Sequence, residues 1–233
     1  MMNAPAATDV SSAPPPGRLA ALWRNAIGKK ALMAVTGVVL FLYVLVHMLA
    51  NLQLFAGPGP LDRYAKLLHG APALLWTVRV ILLLCLAVHV IAGVQLWLRK
   101  RSARPISYGR YAPVVASPAS RTMIWSGVLI FGFVVYHLLD LTIGTANPGF
   151  EEGAVYRNVV ASLARGGAAL AYLAALVALG FHLWHGLGSM FQSVGLSSAG
   201  WIRPERRFAV LFALAIAAGF AAIPISVALG LGR

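Results

Sequence analysis

The sequence predicts an all-α integral membrane protein with five transmembrane helices. Three observations carry this: five long apolar stretches, a shortage of charge, and a one-sided distribution of what charge there is. Of 233 residues, 60% are hydrophobic and 11% charged. A soluble domain carries roughly 25% charged residues, so this chain cannot cover a water-facing surface, and neither a soluble enzyme nor a disordered protein fits. The net charge of +13 fits two readings, a nucleic-acid surface or a membrane topology signal. A single cysteine, Cys85, lies inside an apolar run. It excludes a disulfide framework and a cysteine-ligated zinc or iron–sulfur site.

Residues 1–17 are rich in Ala, Ser and Pro and end in Pro14-Pro15-Pro16-Gly17, a composition that predicts disorder. In residues 18–30, Leu19, Leu22, Trp23 and Ile27 recur at helical spacing among basic residues. That pattern predicts a short interfacial helix. The membrane domain then occupies residues 31–233. A membrane helix needs about 20 apolar residues, and five stretches supply them: span I, Ala31 to Phe55; span II, Pro72 to Leu98; span III, Thr122 to Ile143; span IV, Gly167 to Gln192; span V, Phe208 to Leu229. Span I is too long for the h-region of a signal peptide, and no clear cleavage site follows it.

The segment before span I and the loops II–III and IV–V share one side of the membrane. They hold 13 of the 19 basic residues; the opposite side holds five, and Arg79 lies inside span II. The positive-inside rule places the N-terminus in the cytoplasm and the C-terminus outside, in the cytoplasmic membrane of a prokaryote. The charge is topology, and nothing in its pattern reads nucleic acid.

Spans I and III match in register. Thr36-Gly37-Val38 leads through Phe41 and Val44 to His47, as Ser126-Gly127-Val128 leads through Phe131 and Val134 to His137. Spans II and IV share His-x3-Gly, His89 with Gly93 and His182 with Gly186. The I–II hairpin reads as duplicated in III–IV, a parallel internal repeat about the membrane normal. One intramembrane histidine ordinarily bonds a backbone carbonyl. One in each of four helices of a duplicated frame points to ligation in a bundle core.

Depth sorts the four. At about 1.5 Å per residue, His47 and His137 lie roughly 24 and 22 Å from the inner ends of their spans, and His89 and His182 about 14 and 15 Å. Two same-depth pairs suit two planar groups, each held from both sides. They predict two bis-histidine b haems in a four-helix bundle of spans I–IV, with all four histidines as iron ligands. Zinc or copper would want ligands converging on a point, with thiolate or carboxylate help. Gly93 and Gly186 clear space for a macrocycle edge, and Gly37 and Gly127 are candidates for the same use; close helix packing is the other reading of each.

Other polar residues keep more than one reading. His185 follows His182 by three residues on nearly the same face; only His182 holds the spacing to Gly186, which favours His182 as the ligand and gives His185 a propionate, a quinone or a helix cap, with ligation by His185 in place of His182 as the alternative. His69 falls in an outer loop, where it is solvated or, alternatively, serves a proton or a quinone. Arg79 and Asp140 lie at similar depths, about 28 and 27 Å from the inner surface. Arg79 therefore pairs with Asp140, binds an outer haem propionate bidentately, or snorkels to headgroups. Lys30, Arg99 and Arg121 are candidates for inner propionates or interface anchors, and Gln192 for a quinone or haem contact or a cap.

The pattern resembles the dihaem cytochrome b membrane anchors of succinate:quinone oxidoreductases, including quinol:fumarate reductases, which are single chains with five membrane helices. The matching residues are His47-Met48-Leu49-Ala50-Asn51, His89 with Gly93, His137-Leu138-Leu139, and Phe181-His182-Leu183-Trp184-His185-Gly186 leading to Ser189 and Phe191-Gln192. The resemblance extends from about Lys29 to Leu229. It implies that His47 and His137 hold an outer haem and His89 and His182 an inner one. It implies a flavoprotein subunit and an iron–sulfur subunit of succinate dehydrogenase on the cytoplasmic face, a membrane quinone of menaquinone or related type, and a membrane subunit of an enzyme rather than the site of succinate chemistry. A higher oligomer is also open. Some relatives carry protons on membrane carboxylates. Only Asp140 approaches the membrane here, which argues against a transmembrane carboxylate path. Two other readings stand beside this one: a dihaem cytochrome b of a hydrogenase or formate dehydrogenase, and a non-redox transporter or haem-free relative that uses its histidines otherwise.

Overall fold

The computed structural model describes residues 23–103, 117–193, 195, 200 and 202–230. Among these, the helices are α1 (Ala26–Asn51), α2 (Pro58–His69), α3 (Pro72–Ser102), α4 (Met123–Leu141), α5 (Val155–Leu163), α6 (Gly166–Ser193) and α7 (Ile202–Ala228). A 3-10 turn, Leu52–Ala56, follows α1, and a single helical turn, Pro118–Arg121, precedes α4. Spans I to V are α1, α3, α4, α6 and α7, all long and apolar enough to cross a membrane. Helices satisfy every backbone donor and acceptor internally, which hydrocarbon demands. The expected tail, 1–17, and residues 18–22 of the interfacial segment lie outside the described residues.

The observed helices overrun the expected spans where charge was read as loop. α1 starts at Ala26, where the Asn25 side chain accepts from the Gly28 N–H, so residues 26–30 run on into the membrane helix. α3 continues through Arg99, Lys100 and Arg101, which fill its last turn. Cations there complement the negative end of the helix dipole, and Arg101 lies over the Trp97 ring, 4.9 Å from its centroid. α7 starts at Ile202, with Glu205 in its first turn.

The main packing pairs are α1 with α3, α4 with α6, and α6 with α7. The first two are the hairpins of the internal repeat. α3 and α4 make little contact with each other, and away from the cavity they carry exposed apolar side chains such as Trp76, Leu84 and Trp125, suited to lipid. α7 closes the opposite side. Gly219 of α7 lies against Met48 of α1, and Gly180 of α6 faces Ala217 of α7; small residues bring the backbones close.

Two short helices cap the outer end. Leu61 of α2 and Val159 and Leu163 of α5 join Leu54, Ile223 and Val227 in a buried apolar cluster. Asp62 of α2 accepts from the Tyr156 N–H at 2.9 Å, placing a carboxylate at the N-terminus of α5, where the dipole favours it. Asn158 donates to the Glu151 carbonyl and accepts from its N–H, while Asn147 donates to the Asn158 carbonyl. These side chains satisfy the loop between α4 and α5.

Candidate haem-binding site

The bundle brings the four histidines together as two pairs. His47 of α1 and His137 of α4 have ring centroids 5.9 Å apart; His89 of α3 and His182 of α6 are 6.2 Å apart. Two imidazoles that each place a nitrogen about 2 Å from a shared ion, the usual metal–imidazole bond length, have centroids roughly 6 Å apart. Both pairs meet that spacing. Among the described residues, no three His, Cys, Asp or Glu side chains converge on one point, which is the arrangement a zinc or copper cluster would need.

All eight predicted site residues (His47, Arg79, His89, Gly93, His137, His182, His185 and Gly186) line one cavity of about 2600 Å³. A pocket for one small ligand measures about 300–1,000 Å³, so this space suits more than one large group. A Cβ added at Gly186 meets nothing within 4 Å, and one at Gly93 meets only Met33 Sδ, at 3.9 Å. Both glycines therefore leave open volume beside their histidines.

Gly37 and Gly127 do something different from the macrocycle clearance considered for them. A Cβ on Gly37 would lie 3.3 Å from His89 Cε1, and one on Gly127 would lie 3.6 Å from His182 Cε1. Each makes room for the inner histidine of the neighbouring helix. The preceding residue completes the contact: Thr36 Oγ1 lies 3.4 Å from His89 Nδ1, and Ser126 Oγ lies 3.3 Å from His182 Nδ1. Both hydroxyls donate to carbonyls of their own helix, which leaves their oxygens to accept from the imidazoles. The Met33 carbonyl is a further acceptor, 3.1 Å from His89 Nδ1. With Nδ1 engaged, Nε2 is the nitrogen left to bind.

The repeat thus encodes both levels in one helix. Thr/Ser-Gly seats the inner histidine of the partner helix, and ten residues later, about 15 Å along the axis, the helix presents its own outer histidine.

At the outer level, Asp140 is fully buried. It pairs with Arg165, at 2.6 Å, and not with Arg79. It also accepts from Ser162 Oγ and from Tyr172 Oη, the latter at 3.0 Å. Tyr172 Oη lies 3.1 Å from His137 Nδ1. Neither Arg165, one of the five basic residues on the side opposite the basic loops, nor Tyr172 stands out in the sequence. One signal could have found Tyr172: it precedes His182 by ten residues, as Arg79 precedes His89, so both sit at the outer level. Arg79 itself lies over the Trp76 ring, its guanidinium carbon 5.1 Å from the centroid. On the other side of the outer pair, His47 stacks on Tyr43, with centroids 5.3 Å apart.

The remaining candidates divide by place. Lys30, Arg121, Gln192 and His69 line the cavity, and His69 Nδ1 also contacts the Ala65 carbonyl of its own helix. Arg99 is turned to the Arg24 carbonyl, 2.9 Å away, and so ties the N-terminal segment to the inner end of α3.

A family model described as succinate dehydrogenase/fumarate reductase transmembrane subunit matches residues 99–222. That stretch runs from the inner end of α3 through α4, α6 and most of α7, and contains His137 and His182. No curated protein and no solved structure matches the chain. The match spans more than half of the sequence, and the chain belongs to the family of succinate dehydrogenase/fumarate reductase transmembrane subunits.

Proposed function

We propose that this chain is the electron-carrying membrane anchor of a succinate:quinone oxidoreductase and holds two b haems between paired histidines. The observation that carries the proposal is the pair of facing imidazole couples, 5.9 and 6.2 Å between centroids, in one large apolar cavity. His47 and His137 clamp the outer group; His89 and His182 clamp the inner one. Gly93 and Gly186 open the slot beside the inner pair. Arg79 at the outer level, and Lys30 and Arg121 at the inner end, offer cations for propionates. His185 lines the inner part of the cavity and serves a propionate or a quinone.

When bound, two haems supply reversible one-electron oxidation and reduction at two depths, as transfer between a soluble partner and a membrane quinone of menaquinone or related type requires. The protein's part is to fix their spacing, exclude water and tune their ligands. The basic inner face is the docking side for the iron–sulfur and flavoprotein subunits. The same charge pattern orients the chain in a prokaryotic cytoplasmic membrane, with its N-terminus inside. Family membership separates this reading from a hydrogenase or formate dehydrogenase cytochrome, whose soluble partner differs.

The test is purification of the complex from native membranes in mild detergent. The expected preparation contains a flavoprotein and an iron–sulfur subunit and shows a reduced b-type spectrum with two haems per chain. A complete complex with no b-type absorption overturns the haem reading.

A further inference from the structure

The two histidine pairs differ in what holds their outward-facing nitrogens. At the inner pair every acceptor is neutral: Thr36 Oγ1 and the Met33 carbonyl for His89, Ser126 Oγ for His182. At the outer pair His137 leads to a charge. Tyr172 has one hydroxyl hydrogen, and it points to the Asp140 carboxylate. Its oxygen is then an acceptor, so His137 Nδ1, 3.1 Å away, carries a hydrogen and donates it. The order is His137 to Tyr172 to Asp140, with Arg165 and Ser162 donating to the same carboxylate from the other side. Asp140 has no exposed surface, and a buried carboxylate without partners would be costly. A chain of bonds of this kind polarises each member in turn.

Outer partners of a metal-bound histidine fix its tautomer and raise its basicity. We propose that Tyr172 and Asp140 are positioning residues for the outer haem: they lock His137 with Nε2 bare, strengthen it as a donor, and so hold that haem's reduction potential down. The inference rests on the haem reading above. The mechanism needs no acid–base change at Asp140, only its place at the end of the chain. A stronger donor favours the oxidised iron, so weakening the chain raises the potential.

The test is potentiometry of the purified complex, followed optically and by electron paramagnetic resonance after the haem count has been taken. Tyr172→Phe removes the hydroxyl but keeps the ring, which packs against Phe133 and Tyr136 with centroids 4.9 and 6.1 Å away. Asp140→Asn keeps the shape and removes the charge. Both variants are expected to retain two haems, to shift one transition to higher potential with a displaced low-spin signal, and to leave the other transition in place. Two bound haems with both transitions unmoved in the two variants overturn the inference and spare the haem reading. A haem-free wild-type complex overturns both.

Discussion

Gly37 and Gly127 show how much one missing side chain can decide. An added Cβ would lie 3.3 Å from the His89 ring at Gly37, closer than ordinary contact, and 3.6 Å from the His182 ring at Gly127, at contact distance. A β-branched residue adds γ-carbons beyond that Cβ and crowds the ring. Gly37→Val and Gly127→Val are expected to lose the inner haem and keep the outer one, so that the haem count falls from two per chain to one. Arg165 is a second single-residue pivot. It pairs with fully buried Asp140 and also donates to the Ala146 carbonyl at 2.8 Å. Breaking a buried pair from one side costs about 3–5 kcal/mol. Arg165 is itself partly exposed, so Arg165→Leu is expected to destabilise the chain by about 3 kcal/mol, measured as a lowered Tm of the detergent-solubilised protein. Neither role could be read from sequence alone. A glycine in an apolar helix is silent about which ring faces it. The partner of Asp140 comes from 25 residues further on, across a folded loop.

At the scale of elements, the five spans were legible because hydrocarbon leaves few choices: a run of about 20 apolar residues has to be helical to satisfy its backbone. Their ends were less legible. Arg99, Lys100 and Arg101, and Arg203, Arg206 and Arg207, look like loop residues but occupy helix, because long basic side chains reach the interface from within a helix. The helices α2 and α5 leave little trace in the sequence. Each is short, and their apolar positions, Leu61, Tyr64, Ala65 and Leu68, and Val155, Val159 and Leu163, are too few to stand out beside full spans. The loop between α4 and α5 turns at Gly144, whose φ is +86°, with Phe150 packed against its open side. A left-handed backbone costs an L-residue roughly 1–2 kcal/mol, and a methyl there would also meet the Phe150 ring. Gly144→Ala is expected to destabilise the outer cap by at least about 1 kcal/mol, seen as faster amide exchange in residues 144–163 than in wild type.

At the scale of the whole molecule, charge and the histidine pairs share one axis. The basic residues concentrate at one end of the bundle, and the ten-residue spacing sets the two histidine pairs about 15 Å apart along the helix axis. In a Cys85→Ser background, Glu152→Cys, in the outer loop, is expected to react with an impermeant maleimide added to intact cells, while Arg207→Cys is labelled only after the membrane is opened. The reverse pattern would invert the assigned orientation. The pairing of the histidines was legible from the duplicated register and depth, and the structure brings the same residues together two by two, with ring centroids 5.9 and 6.2 Å apart. The most direct test of the account is the haem count and spectrum of the four single-ligand variants, His47→Ala, His137→Ala, His89→Ala and His182→Ala, beside His185→Ala. The account predicts that the first two lose one and the same haem, that the next two lose the other, and that His185→Ala retains both. Loss of a haem in His185→Ala with both retained in His182→Ala, or losses that do not sort into these pairs, would contradict it.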